Sequence, residues 1–412
     1  MNILDRFLKY ISIDTTSSSK NDVTPSTYSQ KNLALMLVEE LNDLNLDQVH
    51  YDAEHCYVYG VLKGNPNLTK VGFVSHLDTS ENAKGSNINP NIIENYNGED
   101  IFLNENVVLK TDVYPDLKKQ SGKTLITTDG TTLLGADDKA GIAEIMCMLD
   151  HFTQDYNDHG DIYVCFTPDE EIGNGTKFLN KDIFCPDVAY TVDGSNLGEF
   201  SYENFNAASA TIDITGVPVH CGIAKDIMIN AVHIATIINS LLPDELPENT
   251  ENYDGFFHLE EISGDVAHAT MKYLIRDFDK DNFEMRKEIL SILIEKLNDK
   301  YKDSIKLEIK DTYRNMYEVM HDKKEIINST IDAIKNAGIT PEVVPIRGGC
   351  DGTDISFSGI PCPNLGTGGH NFHSVYEYIS LEDMENVTMI LISIVNEFSK
   401  NKKNHIKHLG GK

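Results

Sequence analysis

Apolar residues near the start of the chain recur at intervals of three and four, the spacing that places them on one face of an α-helix. Residues 2–10 and 27–46 both show this spacing. In the second stretch, Leu33, Leu37 and Leu41 fall on the same face. A polar segment rich in Ser and Thr separates the two stretches, so the pattern predicts two amphipathic helices joined by a loop.

Short apolar runs then alternate with helical spacing. Residues 139–152 are predicted to form a helix, and residues 85–106, rich in Asn and Gly, a long loop. Strands are predicted at residues 57–62, 71–77, 125–128, 161–167 and 188–192. This alternation predicts an α/β fold with a mixed, largely parallel sheet flanked by helices.

The pattern changes near Ala207, where apolar and polar residues begin to alternate singly. The order that follows is strand, helix, strand, strand, helix, strand, with the first helix predicted over residues 226–242. Such an order forms one antiparallel sheet with two helices. We therefore expect an inserted α+β, ferredoxin-like domain at 208–316, between two parts of a larger α/β domain at 1–207 and 317–400.

The second part of the α/β domain is predicted to contain a helix over residues 323–336, a strand over 343–346 and a closing helix over 381–400. Residues 348–369 are rich in glycine and are predicted to form a loop. The tail, residues 401–412, is polar and basic and is expected to be disordered.

The composition excludes several classes of protein. Asp and Glu number 65 against 35 Lys and Arg, giving a net charge of −30, which disfavours binding to nucleic acid or anionic membranes. The seven cysteines are scattered and form no C-x-x-C pair, as expected for reduced thiols. The N-terminus does not resemble a signal peptide, and we expect a cytoplasmic protein.

His, Asp and Glu concentrate where predicted strands end. Taken singly, each cluster has an ordinary explanation as a turn, a helix cap or a loop hydrogen bond. Ligands bind at the carboxyl ends of strands in open α/β sheets, however, and crowded carboxylates there require a cation. Imidazole and carboxylate groups without thiolates suit zinc, cobalt or manganese. The clusters lie at residues 76–78, 135–139, 169–171, 193–194 and 370–373.

These clusters lie in long segments that resemble the peptidase T family of tripeptide aminopeptidases. The family belongs to the zinc-dependent exopeptidases, which also include aminoacylase-like and carboxypeptidase-G-like enzymes. The resemblance runs nearly end to end, and its clearest segments are FVSHLDTS, TLITTDGTTLLGADDKAGIAEIM, HGDIYVCFTPDEEIG, AYTVDG, PIRGGCDGTDISFSGIPCPNLGTGG and HNFHS.

The resemblance implies two zinc ions per subunit, with cobalt or manganese as substitutes. His76 and Asp193 would bind one ion, Glu171 and His373 the other, and Asp137 would bridge both. Asp138, next to the bridging residue, is expected to be a structural cap and not a ligand.

The same resemblance assigns catalytic and substrate-binding groups. Asp78 would orient His76, and Glu170 would act as the general base. His220 of the inserted domain would stabilise the oxyanion. Arg276 and Arg347 would bind the substrate carboxylate, and Asn230 on the inserted helix and Gly349 would contact the peptide. Three residues depart from the family pattern in loops near these groups: Cys221, Cys350 and Ser374.

The expected activity is therefore release of the N-terminal residue from tripeptides. Two alternatives remain open at this stage: a related di-zinc dipeptidase or N-acyl amino acid amidohydrolase, and a peptide-binding protein on the same scaffold. The expected partners are short peptides, with no nucleic acid and no membrane. Relatives often dimerise, so a homodimer, with His220 acting in its own chain or in a partner's, is also considered.

Overall fold

Continuous apolar runs form the central strands of the protein, as seen in a computed structural model that describes residues 1–154 and 158–400. The predicted tail at 401–412 lies outside the described residues. The chain divides into two compact units. Of the described residues, the first contains those within Met1–Tyr202, Glu318–Val344 and 350–400, and the second contains Glu203–Tyr317 and Pro345–Gly349.

The strands of the described residues are, in chain order, β1 Gln48–Asp52, β2 Tyr57–Leu62, β3 Val71–His76, β4 Asn91–Ile93, β5 Ile101–Phe102, β6 Val108–Leu109, β7 Leu125–Thr127, β8 Ile162–Thr167, β9 Val188–Gly194, β10 Glu199–Ser201, β11 Asn206–Thr215, β12 Phe256–Gly264, β13 His268–Asp277, β14 Ile305–Tyr313, β15 Glu342–Val343, β16 Asn364–Gly366, β17 Gly369–His370 and β18 Tyr378–Ser380. The α-helices are α1 Ile3–Ile11, α2 Gln30–Asp43, α3 Asp116–Lys119, α4 Ala136–Gln154, α5 Ala231–Leu241, α6 Lys280–Tyr301, α7 Tyr317–Met320, α8 Lys324–Asn336, α9 Asp351–Phe357 and α10 Leu381–Ser399. None of these helices is long and apolar enough to cross a membrane.

The first unit is built on an eight-stranded mixed sheet with the order β1-β2-β8-β3-β9-β16-β10-β15. Its central strands β8, β3, β9 and β16 run parallel to one another. Both faces of the sheet are covered: Val58 and Leu62 of β2 pack into the core that contains α4 and α10, whereas Tyr57 and Tyr59 pack on the opposite face. Burial on both sides explains why these strands are continuously apolar.

The second unit is a four-stranded antiparallel sheet, in the order β12-β13-β11-β14, that packs against α5 and α6. In β11, every second residue is buried toward these helices: Ala208, Ala210, Ile212 and Ile214. That alternation is the pattern of a sheet with one covered face. The predicted fold class, an α/β sheet with a separate ferredoxin-like unit, is confirmed.

Several local predictions were wrong where elements are very short or irregular. The predicted loop at 85–106 contains strand β4, which pairs with β7, and strand β5, which pairs with β6. The predicted loop at 348–369 contains the short helix α9 and the strand β16. Strands of two or three residues are too short to show a period, and Gly352, with Gly348 and Gly349 just before it, conceals the short helix α9, which is largely buried.

Two boundaries also differ. The inserted helix begins at Ala231 and not at 226, because Asn230 caps it: its Oδ1 accepts the backbone N–H of His233 at 3.1 Å. Asn230 therefore precedes the helix instead of lying on it. The strand predicted at 343–346 is the two-residue strand β15, Glu342–Val343, at the edge of the sheet.

Candidate metal centre and active site

Three adjacent parallel strands end at the same edge of the large sheet and bring their terminal residues together. His76 is the last residue of β3, and Asp193 lies at the end of the neighbouring strand β9. Strand β8, on the other side of β3, leads into Glu170 and Glu171. Asp137 lies at the start of α4, which packs against β3 and β9. This edge is where open α/β sheets bind their ligands.

Asp137 lies between two histidines. Its Oδ1 is 2.9 Å from Nε2 of His76, and its Oδ2 is 2.9 Å from Nε2 of His373. Nε2 of His76 is also 3.4 Å from Oδ1 of Asp193, and Nε2 of His373 is 2.9 Å from Oε2 of Glu171. We call these groups the His76 half (His76, Asp193 and Asp137 Oδ1) and the His373 half (His373, Glu171 and Asp137 Oδ2).

The residues present fit a divalent metal. One set of possible ligand atoms from His76, Asp137 and Glu171 lies within 4.8 Å of one another, as does a set from His76, Glu170 and Asp193. The Oε1 atom of Glu171 is buried and has no hydrogen-bond partner among the described residues. Imidazole and carboxylate donors of this kind are ligands for zinc, cobalt or manganese. These side chains therefore form a candidate centre that can hold metal ions.

The pKa values of the acidic side chains in the site are shifted because the carboxylates are buried close together. Burial, together with the charge of Asp137, raises the pKa of Glu171 to about 7. Burial and then the charge of Asp193 raise the pKa of Glu170 well above its ordinary value. For Asp137, burial acts to raise the pKa, but hydrogen bonds to His373 and His76 outweigh it and the pKa falls well below its usual range. A cation at this edge would relieve the repulsion between the acidic groups.

Asp78 supports the site chiefly through the backbone of the neighbouring turn. Its Oδ1 accepts the backbone N–H of Glu170 at 3.0 Å, and its Oδ2 accepts that of Glu171 at 3.2 Å. Toward His76, the nearer contact of Nδ1 is the carbonyl oxygen of Asp78 at 3.0 Å, and the carboxylate lies at 3.4 Å. Asp78 thus fixes the turn that carries both glutamates and also holds the His76 ring.

Three further buried acidic residues hold the segments that carry the site. Their hydrogen bonds were not predicted from the sequence. Asp169, in the left-handed backbone conformation with φ 56°, accepts hydrogen bonds from Ser26. Glu377 accepts backbone N–H groups of the turn before Asp137. Asp138 accepts the hydroxyl of Ser75 and, at 3.1 Å, the backbone N–H of His76. The only local signal was the acidity of the residues themselves.

The predicted substrate-binding arginines lie in the second unit and contact each other there. NH1 of Arg276 donates to the carbonyl oxygen of Arg347 at 3.1 Å. Arg347 donates in turn to the carbonyl oxygens of Asn252 and Asp254, at 2.8 and 3.1 Å, and to the hydroxyl of Thr250 at 3.0 Å. The donors of Arg347 are thus engaged with a loop of its own unit, whereas the buried Nε of Arg276 has no partner in the described part of the chain.

The remaining predicted residues also belong to the second unit. His220 caps a short 3-10 helix: its Nδ1 accepts the backbone N–H of Gly222 at 3.1 Å. Gly349 lies against the ring of Tyr313, where an added Cβ would meet a ring carbon at 3.0 Å. The structure thus brings together His76, Asp78, Asp137, Glu170, Glu171, Asp193 and His373 in one unit, and places His220, Asn230, Arg276, Arg347 and Gly349 in the other.

Known proteins are similar to this chain in sequence and in fold. The model of Peptidase family M20/M25/M40 matches residues 111–397. A peptidase T of Halothermothrix orenii is 47% identical over 404 residues, which cover 96% of this chain and 99% of that protein. The crystal structure of aminopeptidase PepT from Bacillus cereus matches with a TM-score of 0.78 at 21% identity, covering 96% of this chain and 98% of that one. A tripeptidase structure from Staphylococcus aureus matches with a TM-score of 0.79 at 20% identity, covering 97% and 98%.

The family match over most of the chain, together with the site at the sheet edge, defines a metallo-exopeptidase, a hydrolase of the M20 class. Within that class, the chain belongs to the peptidase T family, as the 47% identity over almost its full length shows. The family resemblance inferred from the sequence is therefore confirmed.

Proposed function

We propose that this enzyme releases the N-terminal residue from tripeptides, as a metallo-aminopeptidase with two zinc ions. The observation that carries the proposal is the position of Asp137, whose two carboxylate oxygens each lie 2.9 Å from a different histidine. A carboxylate flanked in this way suits a bridge between two metal ions. The full-length similarity to a peptidase T supports the substrate class.

The ligands proposed for the ions are His76 and Asp193 in one half, Glu171 and His373 in the other, and Asp137 between them. Zinc, with cobalt or manganese as substitutes, would activate water and polarise the scissile carbonyl when bound. The donor set, two imidazoles and three carboxylates, supports this choice of metals.

Glu170 is the proposed general base. One of its carboxylate oxygens lies within 4.8 Å of possible ligand atoms of His76 and Asp193, a position from which it can accept a proton from the attacking water. It then returns that proton to the leaving amine. Asp78 keeps Glu170 in position through the backbone hydrogen bond at 3.0 Å.

The second unit is proposed to act as the lid domain at 208–316, inserted between catalytic parts at 1–207 and 317–400. In this proposal, His220 of the lid domain stabilises the oxyanion, and Arg276 and Asn230 of the same domain contact the peptide. Arg347 and Gly349, from the part at 317–400, contact it as well. The free cysteines are consistent with a cytoplasmic enzyme. A homodimer, in which His220 acts in its own chain or a partner's, is part of the same proposal.

The decisive experiment combines metal analysis with hydrolysis of tripeptides before and after chelation. We expect two equivalents of metal, loss of turnover on their removal, and recovery when zinc, cobalt or manganese is returned. The same assay with dipeptides, tetrapeptides and N-acyl amino acids tests specificity. Preference for dipeptides or N-acyl amino acids would favour a dipeptidase or amidohydrolase instead, and peptide binding without turnover would favour a binding protein.

A further inference from the structure

Glu377 lies at the junction of two segments that carry proposed metal ligands. Its side chain is 1% exposed to solvent, in the segment that follows His373 and leads into β18. Its carboxylate reaches the turn that leads into α4, where Asp137 lies. The contact therefore joins residues that are about 240 positions apart in the chain.

The contact consists of three hydrogen bonds to one short stretch of backbone. Oε2 of Glu377 accepts the N–H groups of Leu134 at 2.6 Å and Gly135 at 2.9 Å, and Oε1 accepts that of Asp137 at 3.1 Å. Gly135 has φ +78°, a conformation that a residue with a side chain rarely adopts. Backbone N–H groups that converge in this way bind an anion strongly, so the carboxylate fixes the course of the turn.

The segment between His373 and Glu377 is itself tied together. The hydroxyl of Ser374 donates to the carbonyl oxygen of Asn371 at 2.6 Å and accepts the N–H of Tyr376 at 3.1 Å. The side chain of Asn371 donates to the carbonyl oxygen of Tyr376 at 3.1 Å. A displacement of Glu377 would therefore be transmitted to His373.

We propose that Glu377 is a positioning residue that fixes the position of Asp137 relative to His373. Glu377 therefore governs metal binding in the His373 half more than in the His76 half. The inference rests on the proposed two-metal function. The His76 half depends less on Glu377, because His76 and Asp193 are held by the strands β3 and β9 of the large sheet.

The variant that tests this role is Glu377→Gln, which keeps the shape of the side chain but replaces one accepting oxygen with an NH2 group that faces backbone N–H donors. Glu382→Gln is the matched control. Both carboxylate oxygens of Glu382 accept the N–H of Thr124, at 3.1 and 2.9 Å, just before β7. Glu382 thus makes the same kind of bond without touching either segment that carries a ligand.

The measurement is a Co²⁺ titration of the metal-free, full-length protein. Binding is monitored by calorimetry and by the visible spectrum of the bound ion. His373→Ala identifies the binding step that belongs to the His373 half. In Glu377→Gln we expect that step to weaken by about 10- to 100-fold, with the other step little changed. Turnover lost at limiting Co²⁺ should recover in excess Co²⁺. Glu382→Gln should bind both ions as the unaltered protein does.

Unchanged titration in Glu377→Gln, or equal weakening of both steps, would overturn the proposal. Should this variant fail to fold, Glu377→Asp is measured in the same way; it keeps the charge but is one methylene shorter, and the same selective loss is expected. The titration needs no substrate. A protein that shows the selective loss but does not hydrolyse tripeptides would support the role of Glu377 and overturn the proposed function.

Discussion

Asp169 binds Ser26 through both of its carboxylate oxygens: Oδ1 accepts the hydroxyl at 2.6 Å, and Oδ2 accepts the backbone N–H at 2.7 Å. Gln30 adds a third hydrogen bond to Oδ1 at 2.6 Å. Asp169 immediately precedes Glu170, whose backbone N–H is accepted by Asp78. The turn that carries the proposed general base is therefore held from two separate parts of the chain.

Replacing Ser26 should weaken this support. Ser26→Ala leaves a buried carboxylate short of one donor, so we expect the free energy of unfolding to fall by about 1–3 kcal/mol and kcat to fall more than KM changes. Urea unfolding and steady-state kinetics measure the two effects. Ser26→Thr should restore most of both. Ser29→Ala should change neither, because the one bond of the Ser29 hydroxyl within the described residues is a 3.4 Å contact with Thr27. Equal effects of Ser26→Ala and Ser29→Ala would contradict the expectation.

Adjacent glutamates should respond differently to the same substitution. Glu170→Gln removes the proton acceptor but no proposed ligand, so we expect both metal ions to remain and turnover to fall by about 10²- to 10⁴-fold. Glu171→Gln removes a proposed ligand of the His373 half, and one metal equivalent should bind much more weakly. Metal analysis beside tripeptide kinetics separates the two, and each variant serves as the control for the other. Turnover that survives Glu170→Gln would show that another group is the base.

Four of the five metal-ligand candidates lie next to a strand or helix that the apolar pattern of the sequence predicts. The fifth, His373, lies between two strands too short to show a period, and its role was assigned from the family resemblance. Among the four, His76 and Asp193 are clear examples, since the parallel strands that carry them are buried on both faces. The contacts of Glu377 and Asp169 could not be predicted in this way. Their carboxylates bind backbone N–H groups and side chains of distant segments, and such bonds leave no periodic signal. For Asp78, the sequence suggested a bond to His76 but not the two bonds to the glutamate turn.

Replacing each of the two arginines of the second unit by lysine should have different effects on the enzyme. Among the residues that the structure describes, the buried Nε of Arg276 has no hydrogen-bond partner and its NH1 makes one bond, whereas both terminal nitrogens of Arg347 are bound to the loop that contains Thr250. If Arg276 binds the peptide carboxylate, Arg276→Lys should raise KM for tripeptides by about 10- to 100-fold. C-terminally amidated tripeptides should show a much smaller change.

Arg347→Lys is the matched variant. Because Lys cannot reproduce the forked contacts of Arg, we expect this variant to have a lower melting temperature. Any change in its KM should be similar for free and amidated peptides. The comparison of KM for both peptides in both variants decides the assignment. If Arg347→Lys raises KM for free tripeptides, relative to amidated ones, more than Arg276→Lys does, Arg347 and not Arg276 binds the peptide carboxylate.

Glu144, in the middle of α4, should make stability depend on pH. It is fully buried, and neither carboxylate oxygen has a hydrogen-bond partner within residues 1–154 and 158–400. Burial, and then the charges of Cys147 and Asp383, raise its pKa well above the ordinary 4.5. The folded protein therefore holds this proton over a pH range in which the unfolded chain has released it. The contribution of Glu144 to stability is thus greatest below pH 4.5 and falls as the pH rises toward the folded-state pKa.

Glu144→Gln, which cannot ionise, should remove this dependence of the free energy of unfolding on pH. For one ionisable group, the slope is at most about 1.4 kcal/mol per pH unit. The stability of the variant relative to the unaltered protein should consequently increase between pH 5.5 and 7.5. Urea unfolding in excess chelator measures it without interference from metal binding. Glu39→Gln, at an exposed position of α2, should leave the slope unchanged. Parallel pH profiles for the unaltered protein and Glu144→Gln would mean that Glu144 is ionised in the folded state, with a compensating partner.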